Sequence, residues 1–416
     1  MTPFGFAILL PFLLTPIASF LFRMVNATIA PDLIAEFNLG PAELGFVTSL
    51  YFIGFGLAQL PMGVLLDRFG PRPVVLALQI IGATGGMWFV LADGQTGLLL
   101  GRFLIGVGMA GSVMAGLKAA NIWFDRSRVP AINALLFGMT GVGGMLATGP
   151  LMLLLKVIDW RSALLLISAY CCLVALIAAV LIPGAPRPAV QPRLGAQIAA
   201  IGRIYASGPF LRYAPLTVAV IAAYSAYQSL WVVVWLRDIE GAGRDVQAWS
   251  LFAMMAAMMT GNFVFGAVNA RLARHGVTTL QAALAIMAAM IGAQSLILLG
   301  ILPFSLPLWC VAGFCASGPI AMFAVLSTRF PADLAGRSNT ALNLLGFLAG
   351  FFLQSGIGLI LDQFPVAADG GYSAEGHRIA LGMTISIQIA AFAWFFLAKG
   401  LDRPDRATLT EAKDEA

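Results

Sequence analysis

The sequence predicts an all-α integral membrane protein, with twelve transmembrane helices in two pseudo-symmetric six-helix bundles. Three observations predict it. Of 416 residues, 60% are hydrophobic and 10% charged, with a mean hydropathy of +0.91; a soluble domain carries about 25% charged residues to face water. Apolar runs long enough to cross a bilayer, about 20 residues as a helix, recur twelve times along the chain. One connection, residues 183–212, is longer than the others and divides the runs six and six.

In order, the runs cover residues 4–30, 44–66, 74–92, 98–122, 130–155 and 162–182, then 213–236, 247–270, 278–301, 307–328, 338–361 and 379–399. The first, opening MTPFGFAILLPFLL, has no basic stretch before it and no small-residue cleavage site after it, so it reads as a retained helix. Gly, Pro and charges punctuate the breaks, as in DRFGPRP, DGQTG, FDRSRVP, IPGAPRP and FPADLAGR. Within the long connection, RLGAQIAAIGRIY has the pattern of a short amphipathic helix lying on the membrane surface. The organisation expected is a bundle over 1–182, a cytoplasmic loop over 183–212, a second bundle over 213–399 and a cytoplasmic tail over 400–416.

Orientation follows from Lys and Arg. Connections after even-numbered runs, with the tail and Lys399 at its edge, hold 16 of them and the odd-numbered connections hold 5, which places both termini in the cytoplasm of a cell membrane, expected to be a bacterial inner membrane. The pI near 9.2 reflects this scatter and not a nucleic-acid patch. The four cysteines lie inside apolar runs without metal spacing, so no metal site or disulfide framework is expected. Met254, Met255, Met258 and Met259 read as core filler more readily than as a copper(I) site. No GxxxxGK[ST] phosphate loop and no nucleophile–base pair occurs, so neither enzyme activity nor a cofactor is expected and movement of solute must be gradient-driven.

The halves look like a weak repeat: GVLLDRFG at 63–70 and GAVNARLARHG at 266–276 align Gly63 with Gly266 and Arg68 with Arg271. Two related six-helix halves are the plan of many secondary transporters, with substrate held at the midplane between them. GVLLDRFGPRPV at 63–74 resembles the signature loop between the second and third helices of the major facilitator superfamily, and RFLIGVG from Arg102 resembles that superfamily's fourth-helix motif. The resemblance implies alternating access by a monomer. Asp67, Arg68 and Arg72, with Gly63 and Gly70 shaping the loop, would latch the halves on the cytoplasmic side when the outside is open, and Arg102 would serve the same conformational machinery.

A narrower similarity is to the organic-anion and organophosphate branches. Arg23, eight residues before Pro31 in RMVNATIAP, is similar to the first-helix arginine those transporters use on an anion. Lys118, five residues before Trp123, matches a basic position in the fourth helix of the organophosphate group. Gln59, Thr140 and Ser225 stand where that group has a lysine, a histidine and its second phosphate-binding arginine, and Met109 stands where related acid-sugar symporters have a proton-coupling glutamate. The match therefore points away from phosphate exchange and leaves a carboxylate or other singly clamped anion.

Each buried cation needs a reason, because Arg or Lys at the bilayer centre costs about 2.5–3.5 kcal/mol on insertion scales. Arg102 and Lys118 are near enough to span ends to snorkel, whereas Arg23 lies roughly 12 Å below Pro31 at 1.5 Å per residue, near the midplane. The seventh run adds Tyr224, Tyr227, Gln228, Trp231 and Trp235 on one helical face, a candidate cavity wall. Asn26, Asn262, Asn339, Asn343 and Gln354 are buried amides; of these, Asn26, Asn339 and Asn343 join Arg23, Lys118, Tyr224, Tyr227, Gln228 and Trp231 as candidate substrate contacts. All acidic residues fall in connections, the tail or run edges, and His275 and His377 in connections, so the usual intramembrane proton relay is missing. The function expected is secondary transport of a small organic anion, a carboxylate by preference, with a proton or counter-anion as possible coupling partner. The alternatives are an efflux pump for amphipathic compounds and a siderophore uptake permease.

Overall fold

The computed structural model describes residues 3–184, 194–365 and 371–402. Twelve helices there are long and apolar enough to span a membrane: α1 Gly5–Phe37, α2 Pro41–Phe69, α3 Pro71–Val90, α4 Gln95–Trp123, α5 Val129–Leu154, α6 Trp160–Leu181, α7 Gly208–Glu240, α8 Arg244–Arg274, α9 Thr279–Leu298, α10 Leu306–Ser327, α11 Leu334–Leu361 and α12 Ala374–Asp402. Most run several residues past the apolar windows. A hydropathy window stops at the first charges, but helical hydrogen bonding continues into the polar headgroup region.

Three spans are interrupted where the sequence breaks the hydrogen-bond ladder. α4 breaks after Met109 at Ala110 and Gly111, α5 breaks before Gly149-Pro150, and α10 breaks before Ser317-Gly318-Pro319. In α7, residues Tyr227–Trp231 form a π-helical turn, a bulge that recurs at functional sites because it rotates the helix face.

The bundles are related by exchanging helix n for helix n+6. α1 packs on α5 as α7 packs on α11, α2 on α4 as α8 on α10, and α3 on α6 as α9 on α12. The same exchange relates the two seams between bundles, α2 against α11 and α8 against α5. Glycines make one symmetric pair of crossings. A methyl on Gly106 of α4 would sit 2.3 Å from the Tyr51 carbonyl oxygen of α2, and one on Gly261 of α8 would sit 2.1 Å from that of Phe314 on α10.

The helix predicted in the central connection is present as Leu194–Ala206, with Ile198 exposed. Ala200, Ile201 and Ile204 are buried as the helix packs on α11, and the Tyr205 hydroxyl donates to the Ala341 carbonyl at 3.2 Å.

The side of the membrane carrying the odd-numbered connections (the odd face) is closed. Arg244 at the start of α8 pairs with Asp32 of α1, and Lys156 pairs with Asp245 at 2.7 Å. Deeper, Ser49 Oγ of α2 lies 2.8 Å from Ser355 Oγ of α11. Among the described residues, every ion pair on the opposite, even face stays within one bundle, including Lys118–Asp67 and Arg212–Asp402. In a chain lacking native cysteines, Ser49→Cys with Ser355→Cys is expected to cross-link under mild oxidation, because these side chains already touch. A reductant-reversible mobility shift checks this; no cross-link in any condition would contradict the closed seam.

Candidate functional site

Arg23 sits where α1 faces α7. Its Nη2 donates to Ser225 Oγ at 2.8 Å, and three phenylalanine rings surround the guanidinium: Phe20 at 5.3 Å, Phe52 of α2 at 5.2 Å and Phe347 of α11 at 5.7 Å. The rings come from both bundles. Cation–ring attraction of about 0.5–2 kcal/mol each makes an arginine tolerable here without giving it a counter-ion. Among the described residues no carboxylate pairs with Arg23, and its Nε is enclosed without a hydrogen-bond partner. The Tyr224 hydroxyl, on the residue before Ser225, is likewise enclosed and unpartnered. A guanidinium with a free donor edge beside an unused hydroxyl is suited to a planar oxyanion.

The other intramembrane cations are already engaged. Arg102, 1% exposed, donates to the Phe22 carbonyl at 2.7 Å and lies 5.7 Å from the Tyr51 ring. With its amide oxygen turned toward them, Asn26 accepts from Arg102 Nε at 3.2 Å, Arg102 Nη2 at 3.3 Å and Thr48 Oγ1 at 3.2 Å. Arg102 therefore grips α1 at residues 22 and 26, on either side of Arg23, and sets the backbone from which Arg23 projects. Lys118 pairs with Asp67 at the even end of α2, so the structure joins it to the loop motif and not to Arg23.

The loop motif is built from the first bundle alone in this conformation. Gly70, at φ +78°, ends α2 and lets the chain turn directly into α3 at Pro71. Arg72 Nη2 donates to the Ala179 carbonyl of α6 at 2.6 Å, and exposed Arg68 lies over the Phe69 ring at 5.2 Å. Gly63 lies one turn before Asp67 on α2. The latch partners that the resemblance implies across the bundles are not engaged while the odd face is closed.

The α7 stripe divides. Tyr224 faces Arg23, whereas Tyr227 stacks on Trp309 with ring centroids 5.2 Å apart. Gln228 donates to Met255 Sδ at 2.9 Å, so two of the α8 methionines pack on an amide. Trp231 donates to the Gln354 carbonyl at 3.1 Å and lies 3.0 Å from where a Gly45 methyl would be, in the odd-face seal. On α11, Asn343 donates to Gln59 Oε1 of α2 at 2.9 Å, and one turn nearer the even face Asn339 has an enclosed, unpartnered amide oxygen. With Phe347 one turn further in, these amides form a column along α11 leading from the even side to Arg23.

Sequence reasoning passed over the phenylalanine cage. Phe20 is one turn from Arg23 and within its reach, but Phe52 and Phe347 arrive from distant helices. It also placed His377 outside any span; the structure buries it in the first turn of α12 against Asp238 at 2.8 Å. Acidic groups do lie within the observed helices, Asp238 among them, 0% exposed. A separate groove of about 470 Å³ between α1, α5 and α6 is lined by Leu14, Ile17, Leu146, Pro150, Ile167 and Tyr170 among others. It has no charge, and the Tyr170 hydroxyl is spent on the Leu14 carbonyl.

Comparison with known proteins agrees with this architecture. The uncharacterised transporter YybO of Bacillus subtilis (strain 168) is 33% identical over 145 residues, 35% of this chain and 33% of that protein. Monocarboxylate transporter 13 of Bos taurus is 33% identical over 216 residues, 50% of this chain and 48% of its own. The match thus spans a third to a half of these curated relatives. A bacterial homologue of the human lysosomal transporter Spinster, solved in an inward-facing and unoccupied conformation, superposes with a TM-score of 0.75 at 19% identity, covering 97% of this chain and 99% of that one, which shows the shared fold. Residues 12–354 match the Major Facilitator Superfamily. With twelve helices long and apolar enough to span a membrane and the n to n+6 symmetry, the chain belongs to the Major Facilitator Superfamily and is a multi-pass membrane protein.

Proposed function

We propose that this transporter moves a small organic anion bearing one carboxylate, bound by Arg23 between the bundles. The observation that carries the reading is a guanidinium at mid-membrane with no carboxylate partner and a free, enclosed Nε. A desolvated cation is costly unless something negative completes it. Tyr224, and the Asn343 and Asn339 column, supply hydrogen bonds to the rest of the substrate, and Phe20, Phe52 and Phe347 give its body an apolar wall. Tyr227, Gln228 and Trp231 shape the wall from behind, and Asn26 holds Arg102 and α1 in place.

One unengaged cation suits a monoanion better than a phosphate ester or a polycarboxylate siderophore, and it repels cationic drugs. The match to a protein named for monocarboxylates supports the same class. The even face is read as cytoplasmic from its excess of Lys and Arg, which makes the closed odd face the outer one; Asp67, Arg68 and Arg72 have their contacts within the first bundle here. The bundle boundaries at 1–182 and 213–399, and a monomeric state, complete the reading. Moving one negative charge inward against 100 mV costs about 2.3 kcal/mol, which a proton carried with the substrate, an exchanged counter-anion or outward transport would offset.

The test is a thermal-stabilisation screen of the purified protein against mono-, di- and tricarboxylates, organophosphates, siderophores and cationic drugs, followed by uptake of any hit into liposomes. Saturation at about 100 times Kd adds about 2.7 kcal/mol to the folded state. Stabilisation by monocarboxylates with liposome uptake is expected; hits confined to cationic or neutral amphipaths would replace this reading with efflux.

Lys118→Ala separates gate from site. With its ammonium on Asp67, its removal is expected to change affinity for the monocarboxylate by no more than about twofold, as for residues without shared partners. Stability should fall by less than about 1 kcal/mol, because both groups are over a third exposed. A tenfold loss of affinity would return Lys118 to the site.

A further inference from the structure

The last two turns of α7 carry Trp231, Trp235 and Asp238 at spacings of four and three, hence on one face. Each does a different job. Trp231 packs on Gly45 of α2 and bonds α11, sealing the odd face. Trp235 lies edge-on to Trp309 of α10 at 6.4 Å and to His377 of α12 at 5.8 Å. Asp238, fully buried, accepts from Arg237 Nε at 2.5 Å and Nη2 at 3.2 Å and faces His377 Nε2 at 2.8 Å. The Asp238–His377 contact thus ties the segment that closes the odd face to α12.

The other described charged groups near this pair are engaged or exposed. On α7, Glu240 is held by the backbone N–H and hydroxyl of Ser305. Arg237 stacks over Tyr372 at 4.9 Å, and burial pushes the Tyr372 hydroxyl up to about 12, so it stays neutral. On α12, Glu375 and Arg378 are exposed, as is Asp362 at the end of α11. Among the described residues, Asp238 is the carboxylate in contact with the imidazole, and Arg237 bonds that carboxylate.

His377 occupies the first turn of α12, where the helix dipole disfavours a cation. While the end of α7 is docked, the imidazole has the Asp238 carboxylate as its partner; if that end swings away, His377 is left at a positive helix terminus without that carboxylate. Histidine is the residue type that changes charge between about pH 5 and 8.

We propose that Asp238 and His377 form a proton-binding latch: protonation of the imidazole locks the outer end of α7 onto α12 and closes the odd face of the transporter. By reciprocity, a state that binds the proton better is favoured by it. The pair lies at the odd-face end of α7, so this proton sets the gate and does not cross with the substrate. The proposal rests on the alternating-access reading.

The test needs no substrate. Ala35 and Gln363, exposed on the odd face of opposite bundles, are changed to cysteine in a chain lacking native cysteines and spin-labelled in lipid nanodiscs. Distance distributions are then recorded from pH 5 to 8. The short-distance population is expected to dominate at acidic pH and to fall with rising pH, the closing equilibrium changing by up to about tenfold per pH unit for one linked proton.

His377→Gln, which retains a hydrogen bond to Asp238, is expected to abolish the pH response. Asp238→Asn is expected to do the same and to shift the population toward the open distance. A wild-type response that persists unchanged in H377Q overturns the latch, and so does a wild-type distribution independent of pH. Either failure leaves Arg23-dependent monocarboxylate uptake intact, whereas failure of the transport reading shows as no uptake of any screened anion.

Discussion

Arg23→Gln is expected to abolish measurable binding of the monocarboxylate while leaving the protein folded. The wild-type guanidinium offers an unused Nε beside an Nη2 that donates to Ser225 Oγ, so a carboxylate arriving there meets the fork of a charged donor in a medium with little water. Loss of one partner of a buried charge pair costs about 2–5 kcal/mol, or roughly 30-fold to several thousand-fold in affinity. Glutamine keeps an amide donor on a shorter side chain but not the charge, and it relieves a desolvated cation, so the unliganded protein should melt no lower than wild type.

Arg23→Lys retains the charge as a point and loses the planar fork, so an intermediate loss is expected. The measurement is the ligand-induced shift in melting temperature, repeated as uptake into liposomes. An unchanged anion shift in Arg23→Gln would show that Arg23 serves only to pack the three phenylalanines.

The second large effect concerns folding. Gly106→Ala is expected to destabilise the protein by about 1–3 kcal/mol or more, the range for forcing an extra carbon into a packed core. The added methyl would meet the Tyr51 carbonyl oxygen at 2.3 Å and the Phe55 amide nitrogen at 2.9 Å. Both are backbone atoms and cannot rotate away, so α2 and α4 must separate. Tyr51 is bonded to Ser19 of α1 at 3.1 Å and its ring faces Arg102; the disturbance therefore reaches the residues that position Arg23.

Gly266→Ala is the control. Nothing lies within 4 Å of that position, and alanine in a helix is favoured over glycine by about 0.5–1 kcal/mol. One chemical change should thus give opposite signs at two positions that hydropathy cannot tell apart. Thermal melts followed by size-exclusion recovery check this; equal melting temperatures would mean that α2 and α4 separate without loss.

The aligned repeat in the sequence, Gly63 with Gly266, missed the positions at which the symmetry is enforced. Gly106 and Gly261 hold corresponding crossings, but their importance depends on a partner helix about 50 residues away. Lys118 shows the same limit. Counting residues to the nearest boundary identifies it as a cation within reach of an interface, yet its partner Asp67 is supplied by another helix. His377 was misplaced for a different reason: an apolar window excludes polar residues by construction, whereas a helix end buries them in pairs when a second helix end brings the complement.

The number of spans, their order, the extra helix in the central connection and the isolated charge at Arg23 were all legible without coordinates. Each is a property of one local stretch of chain, set by burial of apolar side chains against lipid and by satisfaction of backbone hydrogen bonds within a helix. Which cation stays unpaired was decided between helices. Arg102 is consumed by Phe22 and Asn26, Lys118 by Asp67, and Arg23 alone among these three meets only a hydroxyl and three rings. An intramembrane charge must find its complement from whatever packs against it, and what packs against it is set by helix crossings distant in sequence.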